Sequence, residues 1–219
     1  MILFSVTAAF VCSSLMSKSL AKRLCKWHVP AFFIFCFNFI PISAFAHTGG
    51  AIGGGALSGF FHPLFGPDHV AAMVAVGLWG AFLGPPAIFL LPVVFPVVMA
   101  AGGALGIFGV PIPGVEFGIA LSAMILGLMV ALAARPPLLV AAALVGAFAI
   151  FHGHAHGAEL PVGADAVAYS LGFVVATGLL HLAGIAFGLL VRWPAGLVGV
   201  RAAGAMIALA GLAFLGGAL

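Results

Sequence analysis

The stretch AIFLLPVVFPVVMAAGGALGIFG, residues 87–109, contains no charged side chain. A run of this length matches the roughly 20 residues that cross a ~30 Å hydrocarbon core as a helix. The same pattern repeats on both sides of it. Apolar segments fall at about 49–62, 67–84, 115–134, 137–156, 166–191 and 197–219. They are separated by Gly84-Pro85-Pro86, Val110-Pro111-Ile112-Pro113-Gly114, Arg135-Pro136-Pro137 and Trp193-Pro194, all turn or helix-start chemistry. Over the whole chain 65% of residues are hydrophobic and 5% charged, whereas a soluble domain needs about 25% charge to hydrate its surface. The fold class predicted is all-α, a polytopic transmembrane helical bundle embedded in the lipid bilayer. Its 31 glycines suit helices that approach closely in lipid, where association rests on packing.

Charge placement predicts the topology. Arg135, Arg192 and Arg201 share one side, and Glu116, Glu159 and Asp165 the other, if 67–84 is the first full span. With the arginines inside, this obeys the positive-inside rule and places the mature N-terminus in the periplasm of a bacterial-type inner membrane. Counting 49–62 as a span would put every arginine outside. That segment would also be only about 21 Å long. About six full spans are therefore expected, with a short broken or re-entrant helix before them.

The N-terminal region reads as a leader. Lys18, Lys22, Arg23 and Lys26 precede the apolar stretch 31–40, and Pro41-Ile42-Ser43-Ala44-Phe45-Ala46 ends it with a small-x-small site. The organisation expected is a signal peptide over 1–46, cleaved after Ala46, and a membrane domain over 47–219. An uncleaved anchor, and a start at Met16, are the alternatives. Outside this leader three arginines face four acids, 3 − 4 = −1, so the net charge of +3 does not signal a nucleic-acid partner. Cys12, Cys25 and Cys36 all lie within it. Any metal site downstream must be built from imidazole and carboxylate.

Seven histidines follow the leader: His47, His62, His69, His152, His154, His156 and His181. A lone histidine in lipid is often a hydrogen-bonded helix contact. Seven in a cysteine-free region point to a path for a transition metal, which imidazole binds well. In HPLFGPDH, residues 62–69, two imidazoles and a carboxylate flank a Pro/Gly break, a feature tolerated at membrane depth where it lines a cavity. The turn can bring His62 back toward Asp68 and His69. Asp68 can then ligate directly or hold His69 through its second ring nitrogen. In FHGHAHGAE, residues 151–159, His152 and His156 share a helix face, His154 projects elsewhere, and Glu159 is placed to accept from an imidazole. A loop that merely gathers metal is the bland alternative. His181 sits alone in mid-segment, a candidate ligand below these clusters. After cleavage, His47 would offer an α-amine beside its imidazole.

These motifs carry a resemblance. HPLFGPDH is similar to the H-P-x-x-G-x-D-H signature of the HupE/UreJ family of membrane proteins, regarded as nickel or cobalt permeases. The FHGHAHGAELP run at 151–161 and the GLLHLAG run around His181 are similar to that family too. The resemblance implies an essential metal-handling role for His62, Asp68 and His69, with His152, His156 and His181 as further ligands. The function expected is secondary transport of divalent nickel or cobalt, as uptake, by a protein that is not an enzyme. The ion is cargo and no cofactor is held tightly; homo-oligomerisation stays open. There is no G-x-x-x-x-G-K-[ST] for a nucleotide. The alternative is an intramembrane metalloenzyme or metal-binding membrane subunit, against which stands the absence of H-E-x-x-H.

Overall fold

The computed structural model describes residues 55–160 and 163–217. The leader, its cleavage site and His47 therefore lie outside the described residues. Within them the chain forms seven α-helices and no strand. They are α1 (Ala56–Phe65), α2 (Pro67–Leu83), α3 (Ala87–Ile107), α4 (Val115–Ala131), α5 (Leu138–Ala158), α6 (Ala166–Gly188) and α7 (Pro194–Leu215), with a 3-10 turn at Leu189–Arg192 after α6. Four helices, α3, α5, α6 with its 3-10 tail, and α7, are long and apolar enough to cross a membrane. The pair α1–α2 bends by 85° at its break. This is a multi-pass helical membrane protein.

The boundaries follow local chemistry. Gly66 separates α1 from α2, and Pro67 opens α2 at the first helical position, where its missing N–H costs nothing. The break is thus one residue wide. His62 lies inside α1, which runs on to Phe65 rather than stopping at 62 as the apolar pattern suggested. Asp165 caps α6, its carboxylate accepting from the N–H groups of Val167 and Ala168 at 3.0 Å each. The segment expected over 115–134 is shorter as a helix, because Ala133 turns into left-handed space at φ 56°. Carbonyls around that end are satisfied from neighbouring helices: Arg201 Nε donates to Ala131 O at 2.8 Å, and Trp79 Nε1 to Ala134 O at 3.0 Å.

Packing is inverted relative to a water-soluble protein. Outward faces are strongly apolar, with Phe89, Leu139 and Val167 at least 70% exposed. The buried polar residues are His69, Ser122, His152, His156, Thr177 and His181. Helices close on one another through glycine. A Cβ at Gly184 of α6 would strike the Val74 carbonyl of α2, and one at Gly153 of α5 would strike the Met99 carbonyl of α3. These contacts hold α6 against α2 and α5 against α3, the packing that sets where His69, His152, His156 and His181 lie.

Candidate metal site

Four imidazoles from three helices converge beside the α1–α2 break. His69 sits 4.6 Å from His156 and 5.0 Å from His152 between ring centroids, and His62 sits 4.8 Å from His156 and 6.1 Å from His69. The 85° bend makes this possible by turning His62, on α1, back over the first turn of α2. His152 and His156 are one turn apart on α5 and present the same face.

Hydrogen bonds orient the rings. The backbone N–H of His69 donates to Asp68 Oδ1 at 2.9 Å, and His69 Nδ1 donates to the same oxygen at 2.8 Å. With Nδ1 carrying the proton, the buried and unpartnered Nε2 keeps a free lone pair. This is the carboxylate–histidine pairing that raises the basicity of a metal-binding nitrogen. Gly66 leaves room for it: a Cβ there would lie 2.8 Å from His69 Nδ1 and 3.1 Å from Asp68 Oδ1. His152 is oriented from the other side. Ser122 Oγ gives its hydrogen to Ile119 O at 2.6 Å and so accepts from His152 Nε2 at 2.9 Å. His152 Nδ1 is left buried and unpartnered. Both nitrogens of His156 are also buried without a hydrogen-bond partner, its ring 4.1 Å from that of Phe173.

Unpartnered buried polar atoms are costly and uncommon. Here four ring nitrogens from three residues share one place, and each is a potential metal ligand. On the open side, His62 Nε2 lies 3.9 Å from Glu159 Oε2. Ligand atoms of His62, His156 and Glu159 all fall within 4.8 Å of one another. Ligands about 2.1 Å from a shared ion lie roughly 3.0–4.2 Å apart, so a small inward movement closes this set. A groove between α3, α5 and α6, lined by Met99, Gly103, Gly157 and Phe173, also reaches His156.

The remaining candidates are placed elsewhere. His154 Nε2 donates to the Val110 carbonyl at 2.7 Å, tying α5 to the turn after α3. His181, 1% exposed, is divided from the cluster by Phe95, whose ring lies 5.4 Å from His181 and 5.5 Å from His152. Sequence reading passed over Ser122, Phe95, Phe173 and Thr177. A serine or aromatic residue in an apolar helix carries no signal until its neighbours on other helices are known.

Residues 35–214 match the family model described as HupE / UreJ protein. "Protein HupE" of Rhizobium leguminosarum bv. viciae is 48% identical over 178 residues, covering 81% of this chain and 93% of its own. No solved structure matches the chain.

Proposed function

From the chain's membership of the HupE/UreJ family, we propose that it is a permease carrying divalent nickel or cobalt inward across the membrane. The observation that carries this reading is the set of unpartnered imidazole nitrogens of His69, His152 and His156, gathered at a helix break beside His62 and Glu159. Nitrogen and oxygen donors of this kind bind first-row divalent ions, and the absence of thiolate favours release over permanent capture. Asp68 acts by holding His69, and Ser122 by holding His152. His62, His156 and Glu159 form the entrance.

The six-span topology belongs to the same proposal. Helices α2 to α7 each cross the membrane, and α1 is the re-entrant piece that delivers His62. The mature N-terminus, Glu159 and Asp165 are then periplasmic, and Arg135, Arg192 and Arg201 cytoplasmic. The ion enters from the acidic end, where α5 finishes and α6 begins, driven by a gradient or by the membrane potential.

Uptake of radiolabelled nickel and cobalt into proteoliposomes, with copper and zinc as competitors, tests the function. Saturable uptake of nickel or cobalt is expected, and its absence from correctly oriented, monodisperse protein overturns the reading. Reporter fusions test the topology: cytoplasmic signals are expected after Arg135 and Arg201, and a periplasmic one after Glu159.

A further inference from the structure

Beyond Phe95 lies a second group of buried polar atoms that the outer cluster does not use. His181 is 1% exposed and Thr177 is fully buried, and neither ring nitrogen of His181 nor the hydroxyl of Thr177 has a hydrogen-bond partner. The two residues are one turn apart on α6 and therefore face the same way. A threonine inside a membrane helix ordinarily satisfies its hydroxyl on the carbonyl one turn back. Thr177 does not.

A third donor comes from α3. Pro96 has no N–H, so the carbonyl of Pro92, four residues before it, loses its helical partner. That carbonyl lies beside the His181 ring, with no hydrogen bond between them. The group also lies deeper than the outer cluster. A Cβ at Gly77 of α2 would strike the His181 carbonyl, and Gly77 is eight residues beyond His69, about 12 Å along the helix.

We propose that His181, Thr177 and the Pro92 carbonyl form a second station for the transported divalent ion, separated from the outer cluster by the ring of Phe95. The inference rests on the permease reading above and adds an inner site to it. An imidazole, a hydroxyl and a carbonyl make a wholly neutral donor set. The outer cluster has Asp68 and Glu159 close by and holds the ion more tightly. An ion that must leave is served by a weaker site on the exit side, as conduction through successive sites requires. Backbone carbonyls freed at an interrupted helix are a recurrent source of such ligands in transporters. A purely structural pairing of His181 with the Pro92 carbonyl would use one ring nitrogen. It would leave the other nitrogen and the Thr177 hydroxyl unexplained.

The test is a Co2+ titration of the purified full-length protein, read by calorimetry and by the visible absorption of the bound ion. Wild type should bind two equivalents. His181→Asn keeps a donor for the Pro92 carbonyl but loses the imidazole; it should bind one equivalent, at the unchanged affinity of the outer site. Thr177→Val should weaken only the second equivalent. The double variant His69→Ala/His156→Ala should retain the equivalent that depends on His181. Equal stoichiometry in wild type and His181→Asn overturns the inner station while leaving the outer site standing. No binding by wild type overturns both.

Discussion

The α4–α7 pair and the helices around the histidines use the same packing device and bury opposite things. Between α4 and α7, a Cβ at Gly127, Gly204 or Gly211 would collide with backbone or side-chain atoms of the facing helix. Among the residues described as buried on these two helices, Ser122 is the polar one, and its hydroxyl faces His152 on α5. Around α2, α5 and α6, equally close glycine contacts enclose His69, His152, His156, Thr177 and His181. Close helix contact in lipid comes from small residues in either case. Apolar packing is complete without a ligand, whereas buried imidazole nitrogens of His69, His152, His156 and His181 are left without hydrogen-bond partners, as a metal site would require. On the proposed function, one half is scaffold and the other is site.

The sharpest way to break this division is to remove imidazoles and ask whether the fold notices. His62→Ala and His69→Ala should each nearly abolish nickel or cobalt uptake while folded protein in the membrane stays close to wild type. His156→Ala should behave alike, since it stands between the other two rings. Uptake is measured in vesicles and abundance by quantitative blotting. A variant that loses protein in proportion to uptake would place the histidines in the scaffold.

The converse experiment targets the other half. Gly211→Leu drives a side chain into the backbone of Met124 and Ala123, and overpacking of this kind costs about 1–3 kcal/mol or more. Abundance or thermal stability in detergent should fall. The protein that does fold should bind metal with wild-type affinity, as titration of the surviving monodisperse fraction would show. A changed affinity at unchanged abundance would mean that α4–α7 packing sets the geometry of the site.

Between these extremes lie the residues that orient ligands. Asp68→Asn keeps size and removes charge, so His69 loses its anionic acceptor. A group acting through a ligand in this way costs roughly 10–100-fold in affinity, and that is the expected loss. Ser122→Ala removes the acceptor that turns His152, and its effect should be smaller because the hydroxyl is neutral. If Asp68→Asn instead eliminates binding as fully as His69→Ala, Asp68 contacts the ion directly.

How much of this was legible beforehand follows from what acts locally. The helix breaks were, because proline and glycine act over neighbouring residues: Gly66-Pro67 ends one helix and starts the next, and Pro194 opens α7. The shared face of His152 and His156 follows from helical periodicity alone. Convergence of α5 on the α1–α2 break was not legible, because it depends on where Gly153 and Gly157 let α5 lie against α3. Ser122, thirty positions from His152, and Phe95, between two histidines of different helices, acquire meaning only through that packing. His181 reads from sequence as a lone candidate ligand below the clusters; the phenyl ring of Phe95, standing between it and them, does not read there at all.

The smallest effect should come from the histidine that the division assigns to neither binding nor core. His154 lies between His152 and His156 in sequence but on another side of α5, with Nε2 bonded to the Val110 carbonyl 2.7 Å away. It is partly exposed rather than buried. His154→Ala removes one hydrogen bond, worth about 0.5–1.5 kcal/mol, from the contact between α5 and the turn after α3. A slight fall in thermal stability is expected, with uptake and metal affinity within about twofold of wild type. His154→Gln can still donate to Val110 and should recover the stability. A loss of uptake beyond tenfold in both variants, at normal abundance, would put His154 on the route of the entering ion. The site would then extend outward past Glu159, and the boundary between the two regions would have to be redrawn there.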